Sequence, residues 1–68
     1  MIAVYYIDPW DERRYLEENS NDKELFFTSF LSNAKLFENW EAFKTFALNH
    51  PSYNAVFSDM ERYDYERV

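Results

Sequence analysis

Sixty-eight residues without a single cysteine or glycine admit one domain with a small core. They exclude a disulfide scaffold, a thiolate-ligated zinc site and a glycine-rich phosphate loop. Thirteen acids against seven Lys and Arg give a net charge of -6, which disfavours direct binding to a nucleic-acid backbone, while seven Phe, six Tyr and two Trp are too many aromatics for a disordered chain.

Met1 to Ile7 carries Ile2, Val4, Tyr5, Tyr6 and Ile7, which fit a pleated, half-buried surface and predict a strand. The stretch is too short to cross a bilayer and lacks the basic start of a secretion signal. With no cysteine to oxidise, the expectation is a soluble, cytoplasmic protein. A lone strand is unstable, so this one needs a partner from the C-terminal segment or from a second copy of the chain. Asp8-Pro9, followed by Asp11 and Glu12, has the composition of a capped helix start. It predicts a short surface helix ending by Glu18 or Asn19, and Asn19 to Asp22 reads as a turn.

The stretch from Asp22 to His50 holds six of the seven phenylalanines. A helix capped by Asn21 or Asp22 would set Phe26, Phe27, Phe30, Leu31 and Ala34 on one face. The consecutive Leu25, Phe26 and Phe27 leave a buried strand over residues 24–31 as the alternative. A second helix is better marked. Asn39 is a good N-cap, Glu41 lies in the first turn, and Trp40, Phe43, Phe46 and Ala47 form a wide apolar face. Lys44 can pair with Glu41, and Asn49, His50 and Pro51 end the helix. Beyond it, Tyr53, Val56, Phe57, Met60 and Tyr63 fall at helical spacing, with Tyr63 to Val68 as the nearest partner for the N-terminal strand. The expected class is α+β: a single domain over residues 1–68, with an N-terminal strand, a short surface helix and a core of two to three amphipathic helices. The alternative packs helices on a small sheet formed with the C-terminal segment.

Charge is unevenly spread. Residues 1–24 carry seven acids against three bases, residues 25–57 balance, and residues 58–68 carry four acids against two bases. All six tyrosines lie outside the 22–50 stretch. Phenylalanine suits a dry interior and tyrosine a wet edge, so the middle is expected to be core and the ends surface.

No constellation carries chemistry. Asp8, Asp11 and Glu12 lack the further acids and the glycine of a calcium loop, and a helix start accounts for them better. Glu17 with Glu18, or Asp59 with Glu61, would need distinct, partly buried surroundings to act as an acid and base pair. His50 stands alone, and a helix C-terminus gives it a structural role in which its charged form is favoured. No enzyme activity, cofactor or metal is therefore expected. The candidate partner-binding residues are the tail acids and tyrosines, Asp59, Glu61, Tyr63, Asp64, Tyr65 and Glu66, together with Trp10, Asp11 and Glu12. Clustered acids speed encounter with a positive groove, and exposed aromatics anchor interfaces. The expected function is a small module that binds a larger protein through its basic groove, as an inhibitor or adaptor. In a narrower form, carboxylates would stand in for nucleic-acid phosphates; the chain is similar in size and charge to small virus- or mobile-element-encoded inhibitors of host machinery. The alternative is a homodimer paired through the N-terminal strand.

Overall fold

A computed structural model describes residues 1–68 and is organised around the strand predicted at the N-terminus. That strand, β1, spans Ile2–Ile7; β2 is Arg13–Leu16, β3 Phe27–Thr28, β4 Leu36–Phe37 and β5 Tyr63–Arg67, with one α-helix, α1, at Trp40–Leu48. All strand pairings are antiparallel. β5 pairs along one edge of β1, from Ile2↔Arg67 to Tyr6↔Tyr63. The opposite edge is shared end to end, by β4 at Ile2 and Ala3 and by β2 at Tyr5 to Ile7. β3 then extends the sheet beyond β2. The in-chain partner expected at Tyr63 to Val68 is therefore the observed one. With neighbours on both edges, β1 offers a second copy no place to pair, so the homodimer expected through this strand has no edge to use.

The expected class survives only in its coarser form: the domain mixes helix and sheet, but the sheet dominates and there is one main helix. The surface helix expected from Asp8 is a β-hairpin. Asp followed by Pro suits a β-turn as well as a helix start, and the turn is closed by the Asp11 N–H on the Asp8 carbonyl at 3.0 Å. Asp11 follows at φ 64, in the left-handed region that favours glycine. The alternation of Arg13 and Tyr15 with Arg14 and Leu16 then lets the returning chain pair with β1.

The helix expected over Asp22 to Ala34 is also absent. Asn21 does accept the Glu24 N–H, at 3.1 Å, but the chain then extends rather than coils. The Ser20 hydroxyl accepts from the Phe26 N–H at 2.9 Å and donates to its carbonyl at 3.0 Å, fixing the approach to β3. Phe27 lies against Tyr6, with ring centroids 5.2 Å apart, while Phe26 and Phe30 stay exposed. Residues 53–63 form a π-type turn at Tyr53–Phe57 and a single 3-10 turn at Met60–Arg62, not the third helix expected.

α1 matches its prediction. The Asn39 side chain accepts the Ala42 N–H at 2.9 Å, Glu41 sits in the first turn, and Lys44 reaches Glu41 at 3.3 Å. The helix lays Phe43 and Ala47 on the face of the sheet carrying Ile2 and Val4, where Phe37, Phe57 and Tyr63 complete the core. Phe43 is the hub, with ring centroids 5.5 Å from Phe37 and 5.8 Å from Phe57. His50 is buried. Its Nδ1 accepts the Ser52 N–H at 3.0 Å, which places the ring proton on Nε2, 2.6 Å from the Asn21 carbonyl. Its role is structural: the ring ties the end of α1 to the Asn21 loop through these two hydrogen bonds.

Two substitutions at phenylalanines separate this fold from a two-helix core. Phe43→Ala should cost about 3–5 kcal/mol, whereas Phe30→Ala should stay within about 0.5 kcal/mol, as read from urea unfolding midpoints. At the hairpin, Asp11→Gly should stabilise the protein by about 0.5–1 kcal/mol, because glycine adopts the left-handed backbone without a Cβ clash. The midpoint should rise with no change in the denaturant slope.

Candidate functional site

Strand alternation sorts the expected binding residues. In β5, Tyr63, Tyr65 and Arg67 lie on the face that α1 covers, and Asp64 and Glu66 on the opposite face, across from Tyr5 and Ala3. Tyr63 is a core residue, and its hydroxyl donates to the Val56 carbonyl at 2.8 Å. Burial pushes its phenol above the usual tyrosine range, so this ring is closed to a partner. Tyr65 is half exposed, with its ring 5.5 Å from that of Trp40. The expected division of aromatics is thus corrected. Tyr5, Tyr15 and Tyr63 are buried, because the chain ends supply the central strand and its neighbour, while Phe26 and Phe30 of the middle face solvent.

On the face away from α1, Glu66 accepts from the Tyr15 hydroxyl and from Arg13 Nη1, the latter at 3.0 Å. The Arg13 guanidinium lies 4.3 Å from the centre of the Tyr5 ring. Burial first, and then the Glu66 bond, raises the Tyr15 phenol. Glu66 is therefore engaged within the chain by Arg13 and Tyr15. Asp64 accepts the Tyr65 N–H at 2.8 Å, at the sheet's edge strand. Asp59 and Glu61 are exposed in the turn before β5.

The hairpin gathers Trp10, Asp11 and Glu12 at one place. Trp10 is 79% exposed, more than any other large hydrophobic residue of the chain. The loop beneath it is fixed by Asp8, whose side chain is buried. Asp8 Oδ1 accepts from the Trp10 and Glu12 N–H groups at 2.9 and 3.0 Å, and Oδ2 from Arg14 Nε at 2.7 Å. The Glu12 amide, with Arg14 and the Trp10 amide, holds the Asp8 carboxyl below its ordinary range against the opposing effect of burial. Arg14 Nη2 also approaches Glu12 at 3.5 Å. Because β5 begins opposite Tyr6 and the hairpin turns just after Ile7, Asp59 and Glu61 lie toward the same end of the sheet as the Trp10 loop.

Two surfaces escaped the sequence. A groove of about 380 Å³ runs beside α1, where Trp40, Lys44 and Leu48 recur every four residues and meet Met60 and Glu61. The four-residue spacing was visible, but it assigned Trp40 to the core and gave no sign that Leu48 would be exposed. The second is a hollow of about 630 Å³ on the sheet face away from α1, lined by Leu31, Ala34 and Leu36 with Val68 and edged by Glu18. Leu31, Ala34 and Leu36 are close in sequence, but Val68 reaches them only because β4 and β5 both pair with β1 in the folded chain. No three His, Cys, Asp or Glu side chains converge as metal ligands, and every buried side-chain polar atom has a hydrogen-bond partner. No helix is long and apolar enough to cross a membrane. No protein-family model, curated protein or solved structure matches the chain.

The buried phenols set a pH dependence. Tyr15 and Tyr63 both have folded pKa values raised above the ordinary 10.0. Their stabilisation is therefore complete below that value and lost as pH rises through it, when the unfolded chain ionises first. Unfolding free energy should fall with pH above about 10, and the slope should shrink in the Tyr15→Phe, Tyr63→Phe double variant. Phenolate absorbance and denaturant midpoints measured together check this.

Proposed function

We propose that this chain is a small non-enzymatic protein-binding module that places its Trp10 hairpin in a basic groove of a larger protein, acting as an inhibitor or adaptor. The observation that carries this reading is the 79% exposure of Trp10 on a loop whose backbone is held by a buried carboxylate. A tryptophan contributes nothing to the core when it stands in water, whereas tryptophans inserted in pockets are among the strongest interface anchors. A loop already fixed in one shape loses little conformational freedom on docking. Asp11 and Glu12 flank the ring, with Asp59 and Glu61 toward the same end, and favour a positive partner surface.

The narrower form, nucleic-acid mimicry, has less support. Asp8, Glu12 and Glu66 are engaged by Arg14 and Arg13, and the unpaired Glu38 lies at the opposite end of β1 from the hairpin. A row of free carboxylates spaced like phosphates does not emerge from this arrangement.

Affinity purification from the native cell, with mass spectrometry, should identify a partner that Trp10→Ala no longer retains, although its thermal unfolding is unchanged. Asp11→Asn with Glu12→Gln should weaken binding several-fold and flatten its salt dependence. Retention of the same partner by Trp10→Ala would remove the hairpin from the interface. Competition of the partner by nucleic acid would restore the mimicry reading.

A further inference from the structure

The sheet is covered on one side only. α1 closes the face carrying Ile2 and Val4, and no α-helix lies on the face carrying Ala3 and Tyr5, which a single 3-10 turn at Leu31–Asn33 borders. Half of that second face is closed by its own side chains, through the Arg13, Tyr5, Tyr15 and Glu66 cluster. The other half is the hollow of about 630 Å³, and its apolar lining is partly in water: Leu31 is 38% exposed, Leu36 42% and Val68 61%. Leu31 and Leu36, from the segment that leads into β4, meet Val68 from the end of β5 in one concavity. Apolar side chains gathered in a concavity and rimmed by polar residues are the surface a docking partner would cover.

Charge indicates what docks. Lys35 borders the hollow, but its ammonium group is turned to the other side of the sheet, 5.6 Å from the centre of the Phe46 ring and 3.5 Å from the Ser20 carbonyl. Arg13, the cation on the open face, is engaged by Glu66. The free charge around the hollow is therefore negative: Glu18 at its edge, without an ion pair, and Asp64 further along the same face, bonded only to a backbone amide. With a net charge of -6, two copies of this chain would repel as they approached face to face.

We propose that the open sheet face is a docking site for an amphipathic helix of a partner protein, with leucine-like side chains in the Leu31, Leu36 and Val68 hollow and Lys or Arg reaching Glu18 and Asp64. A helix laid across a sheet is the usual way a bare face is closed, and it would complete here the second layer that the chain itself does not supply. The site is distinct from the Trp10 hairpin and stands without it.

The test uses the whole chain and a synthetic amphipathic helical peptide of leucine and lysine, with the same peptide carrying glutamate for lysine as control. Amide NMR shifts should move at Leu31, Leu36 and Val68 with the basic peptide and not with the acidic one. Affinity should fall roughly tenfold in Leu36→Ser, the loss typical of truncating a buried interface anchor. Should Leu36→Ser fail to fold, Glu18→Lys at its exposed position carries the same test, through weaker binding and a smaller salt dependence. Shifts confined to other surfaces, equal binding of the acidic peptide, or affinity unchanged by these variants would overturn the proposal. So would sedimentation showing a dimer that Leu36→Ser converts to monomer, since the occupant would then be a second copy.

Discussion

The antiparallel pairing of β1 with β5 joins the first strand of the chain to its last, and the other elements depend on it. Closing so long a loop costs chain entropy that grows only slowly with length. With no cysteine, that cost cannot be offset by a cross-link. It is offset by side chains. Ile2 and Val4 from β1 and Tyr63 from β5 meet Phe37, Phe43 and Phe57 in one buried cluster. The Tyr63 hydroxyl is satisfied by the Val56 carbonyl, so the ring enters the core without an unpaired polar atom. Loss of this cluster would free β5, and with it the edge of β1 that β5 protects.

A chain without glycine must build its tight turns by other means. At the β1–β2 hairpin, an aspartate takes the left-handed position and a second aspartate, Asp8, satisfies two loop amides and an arginine. The region after β2 uses Ser20 and Asn21 in the same way, with side-chain oxygens meeting backbone N–H groups. His50 ties that loop to the end of α1 through the Asn21 carbonyl. Polar side chains therefore hold the connections in shape where regular secondary structure is short. Rigid connections can present residues that do not pack, and Trp10 is the clearest case.

Four of the thirteen acids, Asp8, Glu12, Glu41 and Glu66, have cationic partners, and of these Asp8 is buried as structural bonding. The acids without an ion pair include Asp11 at the hairpin, Asp59 and Glu61 in the turn before β5, and Glu18 and Asp64 around the open sheet face. These are also places where apolar groups stand exposed. Uncovered apolar surface and unpaired carboxylates thus coincide at the Trp10 hairpin and at the open sheet face.

The sequence by itself determined the elements whose local signals agree with their surroundings. β1 is a run of β-branched and aromatic residues with no competing helical period, and α1 has its Asn39 cap, its apolar face and its proline stop. The exclusion of thiolate zinc sites and glycine-loop chemistry likewise followed from composition alone. Only the tertiary structure decided the segments whose local signals fit two states. Asp8-Pro9 serves a turn and a helix start equally, and Leu25-Phe26-Phe27 satisfies a helix face or a buried strand. In both cases the choice fell to the free edges of β1 and then β2, whose backbone groups needed partners. The site residues divided for the same reason: once residues 63–67 became a strand, alternation sent Tyr63 into the core and Glu66 to the opposite face. A period of two, imposed by pairing with a segment at the other end of the chain, cannot be read from the tail on its own.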